Sequence, residues 1–155
     1  ATAEVWDGTN WTEVGDLNNA RMYLGGFGNA TSAIAANGVE PPHTQNKVEK
    51  WDGTSWTEVA EMNTARGEML QGQGRTNESG IIAGGSPNGS SQITNTEIWN
   101  GSSWSESNDL ATAGRMGAQV GPTSSGMYIG GQTPSNVVTV EHWDSPLANK
   151  TITAS

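Results

Sequence analysis

The sequence predicts an all-β fold built from repeated four-stranded antiparallel sheets, and three observations predict it. A Glu-x-Trp-Asp/Asn-Gly phrase, with a second tryptophan five residues after the first, occurs at Trp6, Trp51 and Trp99, and a shortened copy follows at Trp143. All seven tryptophans of the chain lie in these phrases. Gly or Pro interrupts every stretch that has a helical apolar period. The even spacing of the phrases indicates an internal repeat without helices.

Each phrase predicts a tight hairpin. An Asp-Gly or Asn-Gly pair readily supplies positive φ angles, and here it lies between two short runs with the alternation of β-strands. One tryptophan would then stand on each arm of the hairpin. Because a tryptophan buries more apolar area than other side chains, these rings are expected to fill the space between neighbouring sheets.

The rest of each repeat follows the same order. After the hairpin come a polar turn ending in Arg, a glycine-rich stretch, a run ending in Gly-Gly or Asn-Gly, and a loop with proline. This order predicts four strands per repeat, which we call a (after Arg), b (to Gly-Gly), c (Glu-x-Trp) and d (second Trp). Radial repetition of four-stranded sheets is typical of a β-propeller.

The strand count predicts about three and a half propeller blades over residues 1–155. The expected units are a half blade over 1–18 and blades over 19–62, 63–110 and 111–155, with the last strand d at 150–155. Closed propellers have about four to eight blades. We therefore expect either residues upstream of Ala1, which lies directly before a strand-like phrase, or association with other chains or copies of this one.

Composition narrows the classes of function. The net charge of −9, with Leu, Ile, Val and Phe at about one residue in seven, would by itself favour disorder, but the repeat outweighs it. Only 7 Lys and Arg occur, unclustered, which argues against nucleic-acid binding. No apolar run approaches the roughly 18 residues that span a bilayer, so membrane insertion is not expected. Without cysteine there is no disulfide framework.

Two sets of motifs resemble a known family. The Arg and glycine-rich strand followed by Met-Tyr-Ile-Gly-Gly at 127–131 and Val-Glu-His-Trp-Asp at 140–144 are similar to the kelch motif, which implies a four-stranded propeller blade. Trp-Asp-Gly-Thr-Ser-Trp at 51–56, Met-Asn-Thr-Ala-Arg at 62–66 and Ile-Ile-Ala-Gly-Gly at 81–85 resemble the kelch-like repeats of virion proteins from tailed phages, notably those infecting marine bacteria. Asn37-Gly38 in place of Gly-Gly departs from the pattern, as does the missing second tryptophan of the last repeat.

The resemblance implies a non-enzymatic structural or host-adhesion protein, such as a tail-fibre protein, on the surface of a virus particle. Its implied partners are other virion chains or copies of itself, together with a host-surface glycan, and no cofactor is implied. Three alternatives remain open: a carbohydrate-binding propeller lectin with exposed tryptophans as sugar platforms, a glycan hydrolase, and a cellular kelch interaction module. The hydrolase would need two convergent carboxylates outside the repeat pattern, and Glu40, Glu68 and Glu78 are the candidates.

Candidate binding residues lie in the loops between strands b and c. These loops, at 39–47, 86–95 and 132–137, are polar, contain proline and differ from each other, as binding loops on a repeated scaffold do. The candidates are Pro42, His43, Asn88, Ser90, Gln132 and Asn136. The chain has only two histidines, in unrelated phases of the repeat, so no metal site is expected.

Arg21, Arg66 and Arg115 recur just before strand a, the strand expected nearest the propeller axis. Two roles are open. A ring of guanidinium groups could bind an anionic ligand such as a sugar carboxylate. Alternatively, each Arg pairs with a carboxylate of the repeat, the candidates being Glu4, Glu49, Glu97 and Glu141, and holds the scaffold together.

Overall fold

The computed structural model describes residues 2–69, 71–133 and 135–144, and the regular secondary structure of these residues consists of β-strands. No helix in this part of the chain is long and apolar enough to cross a membrane. The strands are β1 (Ala3–Trp6), β2 (Trp11–Val14), β3 (Gly25–Asn29), β4 (Ser32–Glu40), β5 (His43–Trp51), β6 (Trp56–Val59), β7 (Gln73–Thr76), β8 (Ser79–Ala83), β9 (Thr96–Trp99), β10 (Trp104–Glu106), β11 (Ala118–Val120), β12 (Ser125–Ile129), β13 (Gln132–Thr133), β14 (Ser135–Asn136) and β15 (Val140–Asp144).

These strands form antiparallel sheets in which neighbours in sequence are neighbours in space, except that β12 pairs with β15 across the β13–β14 hairpin. Strands β3 to β6 form a four-stranded sheet, called sheet 1, and β7 to β10 form another, called sheet 2. Strands β11, β12 and β15 form a three-stranded sheet, called sheet 3. Strands β1 and β2 pair as the N-terminal hairpin, and β13 and β14 pair as a short hairpin. The prediction of an all-β chain with four-stranded antiparallel sheets is confirmed for sheets 1 and 2.

The hairpin predicted from each tryptophan phrase is present in the same form three times. In every copy the two tryptophans are paired in register, as Trp6 with Trp11 and Trp51 with Trp56. The turn is closed by a side-chain oxygen: Asp7 Oδ1 accepts hydrogen bonds of 2.7 and 2.8 Å from the two backbone N–H groups at the end of the turn. Asp52 and Asn100 make the same two bonds. Turn chemistry therefore fixes the register of the outer strands.

A pair of residues with left-handed backbone directly follows β8 and β12, and the equivalent pair interrupts β4 at a shift in its register with β5. The pairs are Gly84-Gly85 (φ 70° and 107°), Gly130-Gly131 (φ 64° and 102°) and Asn37-Gly38 (φ 58° and 111°). Asparagine tolerates this conformation better than most residues with a side chain. Asn37 is therefore a conservative departure from the glycine pattern.

Neighbouring sheets pack through a side chain of the first strand of one sheet that covers a glycine in the second strand of the next. The Phe27 ring lies over Gly80, where an added Cβ would come within 2.0 Å of the ring. Gln73 lies in the same way over Gly126 and donates to the Met127 carbonyl at 3.0 Å. The main apolar core, which includes Ile34, Val48, Ile82 and Trp99, lies around the first of these junctions.

Burial of the tryptophans differs along the chain. Trp51 and Trp99 are 3% and 1% exposed, and Trp104 is also buried. Trp6 and Trp11 of the N-terminal hairpin are instead 46% and 65% exposed. The expectation that indole rings fill the space between sheets holds for sheets 1 and 2 but not for this hairpin, whose free edge has no neighbouring strand among the described residues.

The predicted b–c loops differ in structure. The prediction of a loop over 39–47 was wrong, because β4 and β5 continue as one long hairpin with its turn at Pro41-Pro42. Residues 86–95 form a loop, as predicted, and 132–137 contain the short β13–β14 hairpin. The last strand d, predicted at 150–155, lies outside the described residues.

Candidate functional site

Two of the three repeat arginines form buried ion pairs. Arg21 Nη1 lies 2.5 Å from Glu49 Oε1, and both side chains are fully buried. The other Glu49 oxygen accepts hydrogen bonds of 2.7 and 2.8 Å from the backbone and side-chain nitrogens of Asn18. Burial acts to raise the pKa of Glu49, but the bonds from Arg21 and Asn18 outweigh it and hold that pKa below its ordinary value.

Arg66 and Glu97 repeat this arrangement in sheet 2. Arg66 Nη2 donates to Glu97 Oε1 at 3.1 Å, and Arg66 Nη1 donates to the Asn95 carbonyl at 3.1 Å. Glu97 also accepts from Asn63, at 2.8 Å from its backbone nitrogen and 3.0 Å from its side chain. Burial lowers the pKa of Arg66, and the charge of Glu97 opposes this shift. The charges of Arg21 and Arg66 are thus paired within the protein, and their role in ligand binding stays a prediction.

Arg115 does not occupy the equivalent position, so the prediction that the three arginines recur in phase was wrong. The Gly85 nitrogen donates to the carbonyl of Gly114, just as the Gly38 nitrogen donates to the carbonyl of Arg66. Gly114 therefore stands where Arg66 stands in the previous repeat. Tyr128 fills the vacated space, since its Oη would be 2.8 Å from a Cβ at Gly114. Burial, with a smaller contribution from the charge of Glu141, raises the pKa of Tyr128.

The shift by one residue sends Arg115 to the end of the sheets where the β4–β5 hairpin turns. There Arg115 forms an ion pair with Glu68 and donates to the Gly89 carbonyl at 2.5 Å. Its Nε donates to Gln132 Oε1 at 3.0 Å. Glu141, the carboxylate that follows Glu49 and Glu97 in the repeat, accepts instead from the backbone nitrogens of Ala111 and Thr112. Arg115 thus joins the turn after Arg66, the 86–95 loop and the β13–β14 hairpin.

One residue in each repeat, just before strand a, has a left-handed backbone although it is not glycine. These residues are Tyr23, Glu68 and Met116, with φ of 55°, 58° and 56°. A residue with a side chain in this conformation costs roughly 1 to 2 kcal/mol of conformational free energy. Because backbone strain of this kind is often found at functional sites, the side chains at these three positions are candidates for a role in binding. The three left-handed positions carry three different side chains at the same end of the sheets, and of these Tyr23 is 57% and Met116 39% exposed.

A groove of about 440 Å³, which we call the tip groove, opens beside Tyr23 and Glu68. The β4–β5 hairpin forms one wall and the 86–95 loop another, and Thr44 Oγ1 joins the two by donating to the Pro87 carbonyl at 2.8 Å. The lining residues are Tyr23, Val39, Pro42, His43, Thr44, Glu68, Pro87, Asn88 and Gly89.

Asn88 shapes the loop wall of the tip groove. Its Oδ1 accepts hydrogen bonds of 2.9 and 2.8 Å from the backbone nitrogens of Ser90 and Ser91. Its Nδ2 donates to Ser91 Oγ at 3.2 Å. The side chain thus closes a turn as Asp7 does in the tryptophan hairpin, which fixes this wall without a regular strand.

The structure brings most of the loop candidates to one place. Pro42, His43 and Asn88 line the tip groove, and Arg115 and Gln132 lie behind it. The remaining candidates do not line it; they are Ser90, Asn136, Arg21 and Arg66. Sequence reasoning missed Tyr23, which follows the repeat arginine where no loop was expected. It also missed the placement of Glu68, although that acid lies outside the repeat pattern.

The acidic residues outside the repeat pattern do not share a common ion-pair partner. Glu68 pairs with Arg115, and Glu78 pairs with Lys50 at 2.6 Å. Glu40 is exposed at the end of β4. Among the residues described, no group of three or more His, Asp or Glu side chains is placed to hold a metal ion.

No protein-family model and no curated protein matches this chain.

Proposed function

We propose that this chain is part of a non-enzymatic, kelch-like β-propeller that recognises a glycan through the tip groove. The proposed setting is a virus particle, in attachment to a host surface, and it is supported only by the resemblance of the repeats to those of tailed-phage virion proteins. The observation that carries the proposal is the position of Tyr23: an exposed aromatic ring, held in a left-handed conformation, beside polar side chains in a groove of about 440 Å³.

The propeller part of the proposal is supported by the repetition of the sheets. Sheets 1 and 2 have the same strand order, and each places the tryptophan strand third. The contact of Phe27 with Gly80 and that of Gln73 with Gly126 relate successive sheets in the same way. A repeated contact of this kind between four-stranded sheets favours radial packing, which gives a propeller.

Glycan recognition is supported by the chemistry of the tip groove. Sugars present C–H faces that pack on aromatic rings and hydroxyl groups that need hydrogen-bond partners, and Tyr23 offers a ring with a polar end. His43 is exposed and Glu68 is half-buried, so both can meet hydroxyl groups. Because Arg115 neutralises Glu68, the groove has little net charge at that point. These features favour a neutral oligosaccharide over a strongly anionic one.

The proposal that the protein is not an enzyme rests on the positions of the carboxylates outside the repeat pattern. Glycoside hydrolysis needs two carboxyl groups facing one bond. Glu68 and Glu78 are each paired with a different cation, Arg115 and Lys50, and of the three candidate acids only Glu68 lines the tip groove, while Glu40 and Glu78 do not. The tip groove therefore supports binding rather than cleavage.

The experiment is a binding measurement on an immobilised panel of neutral and acidic oligosaccharides. The wild-type chain is compared with Tyr23→Ala and with Met116→Ala. Met116 is a matched control, because it is exposed and has the same left-handed backbone but does not line the groove. We expect saturable binding of a neutral oligosaccharide, weakened about tenfold or more by Tyr23→Ala, as for an aromatic residue central to an interface. Met116→Ala is expected to bind like the wild type.

Three results would contradict the proposal. One is the absence of saturable binding to any sugar on the panel, and another is an equal loss in Met116→Ala. The third is release of a reducing end during incubation, which would support the hydrolase alternative. Saturable capture of another virion protein through Tyr23, without sugar binding, would favour assembly over attachment.

A further inference from the structure

Three Asn-Gly pairs occur in the chain, and the structure gives them different surroundings. They are Asn37-Gly38, Asn88-Gly89 and Asn100-Gly101. In such a pair the glycine nitrogen can attack the side-chain amide of the asparagine, because glycine has no side chain to hinder a close approach of the backbone. In a folded protein the reaction depends on whether that nitrogen is free and whether the backbone around it can rotate.

The Asn37-Gly38 pair is protected by sheet 1. Asn37 is fully buried, and its Nδ2 donates to the Thr64 carbonyl at 3.3 Å. The Gly38 nitrogen, which is the nucleophile, donates to the Arg66 carbonyl at 3.0 Å. Both residues lie within β4, and the strand is paired with β5 on either side of them. Reaction at this pair therefore requires opening of the sheet.

The Asn88-Gly89 pair is arranged in favour of the reaction. It is exposed and lies in the 86–95 loop, outside the strands. The Gly89 nitrogen donates to no acceptor in the described part of the chain. Asn88 Oδ1 accepts from the nitrogens of Ser90 and Ser91 at 2.9 and 2.8 Å, as the oxygen of a carbonyl under attack does in an oxyanion hole. The Ser91 hydroxyl lies 3.2 Å from Nδ2, the nitrogen that would leave.

The Asn100-Gly101 pair is a matched comparison, because it has the same turn within a paired hairpin. Asn100 Oδ1 accepts from the nitrogens of Ser102 and Ser103 at 3.0 and 2.9 Å. The Asn100 nitrogen also donates to the Ser103 carbonyl at 3.2 Å, and β9 and β10 pair directly beyond the turn. A Cβ at Gly101 would come within 2.9 Å of Glu78 Oε2. Strand pairing and this contact restrict the backbone rotation that brings the glycine nitrogen to the asparagine Cγ.

We infer that Asn88 is a site of spontaneous covalent modification in the wall of the tip groove. The Gly89 nitrogen loses its proton to solvent base and bonds to Asn88 Cγ. The Cγ–Nδ2 bond breaks, and Nδ2 leaves as ammonia with a proton from water. Water then adds to either carbonyl of the resulting five-membered imide, which opens the ring to aspartate or isoaspartate. Water is the sole co-reactant, and no atom changes its oxidation state.

The repeat shows that an aspartate fits this turn. Asp7 and Asp52 make with Oδ1 the same two bonds that Asn88 makes. These bonds, above all those from the Asn10 and Ser55 nitrogens, lower the pKa of the two carboxyl groups. An aspartate at position 88 is therefore expected to be ionised at neutral pH and to keep the loop wall in place.

The modification adds a negative charge to the tip groove, and only its effect on a ligand rests on the proposed function. Arg115 is already paired with Glu68 and donates to the Gly89 carbonyl. A new carboxylate at position 88 thus has no unpaired arginine beside it, and it repels anionic sugars. Isoaspartate also lengthens the backbone by one atom, which moves the Gly89 carbonyl relative to Arg115. The ligand preference of the groove would then change as the protein ages.

The experiment follows each Asn-Gly pair by mass spectrometry of peptides during incubation of the folded chain in mildly alkaline buffer. We expect conversion at Asn88 first. Conversion at Asn37 is expected to be slower by about a hundredfold or more, because it waits for opening of sheet 1. Asn100 is also expected to react more slowly than Asn88. In the urea-unfolded chain, which is the control, the three pairs are expected to react at similar rates.

Two further measurements test the chemistry and the fit of the product. The rate at Asn88 is expected to rise with pH, because the Gly89 nitrogen reacts after losing its proton. Asn88→Asp, which carries the product charge, is expected to unfold at the same urea midpoint as the wild type, since the turn accepts a carboxylate at Asp7 and Asp52.

Three results would overturn the inference. One is a rate at Asn88 in the folded chain no higher than that at Asn37. Another is faster conversion at Asn100 than at Asn88, which would mean that paired strands do not restrict the reaction. The third is a rate at Asn88 that does not depend on pH. Sugar binding enters none of these measurements, so the inference and the proposed function fail separately.

Discussion

The substitution Arg66→Met removes the guanidinium from a buried ion pair and keeps a long apolar side chain in its place. Glu97 then remains fully buried with a negative charge, still accepting hydrogen bonds from Asn63 but without a cation. Breaking a buried pair by removing one partner costs roughly 3 to 5 kcal/mol. Arg115→Met is the control, because Arg115 is the corresponding arginine by sequence but its pair with Glu68 is partly exposed. Its expected cost is smaller than that of Arg66→Met, roughly 1 to 2 kcal/mol, because the Arg115–Glu68 pair keeps some contact with water.

The assay is urea unfolding followed by tryptophan fluorescence. With a slope of about 2 kcal/mol per molar urea, Arg66→Met is expected to lower the midpoint by roughly 1.5 to 2.5 M. Arg115→Met is expected to lower it by roughly 0.5 to 1 M on the same slope. The double variant Arg66→Met/Glu97→Gln is expected to recover part of the loss, because it removes the uncompensated charge.

Equal midpoint shifts in Arg66→Met and Arg115→Met would refute this reasoning. They would mean that the two arginines are equivalent after all, as the sequence repeat suggests. A double variant less stable than Arg66→Met would also contradict it, since the buried carboxylate would then not be the source of the loss.

Two further predictions concern Glu49 and the contact between sheets 1 and 2. Because the folded pKa of Glu49 is lowered, its contribution is present above the ordinary carboxyl pKa and is lost as pH falls through the folded value. The difference in urea midpoint between wild type and Glu49→Gln should thus be larger at about pH 7 than at about pH 3; a constant difference would contradict this. Gly80→Ala should cost roughly 1 to 3 kcal/mol by overpacking against Phe27. Gly15→Ala, where a Cβ would be 3.5 Å from its nearest neighbour, should be near neutral by thermal unfolding, and similar losses in the two would contradict the packing argument.

Local turn chemistry explains why much of the fold could be predicted. The side chains of Asp7, Asp52 and Asn100 close their turns with bonds to residues two and three positions further on. Such contacts depend on nearby sequence alone, so the same phrase gives the same hairpin at each occurrence. The 39–47 segment could not be predicted in this way. In this segment β4 pairs with β5 on either side of a turn at two prolines. Because the segment is polar and contains proline, its sequence alone predicts a loop.

The candidate site was predicted in part, and the error at Arg115 has a traceable origin. Four positions separate Leu17 from Arg21, but five separate Leu110 from Arg115. That extra residue was the available signal for a change of phase. The extra residue does not predict which side chain takes the place of the arginine, because Tyr128 reaches the space at Gly114 from another strand. Convergence of distant segments on the tip groove is likewise a tertiary property.

The tip groove follows from one feature of a repeated scaffold. Where a position keeps its repeat residue, as at Glu49 and Glu97, that residue forms an ion pair that stabilises its own sheet. Where the repeat shifts, a side chain becomes available for another role, and the shift at Arg115 places a cation behind the tip groove. Binding residues in such a chain are therefore best sought at departures from the repeat, because only there can a side chain change without loss of the fold.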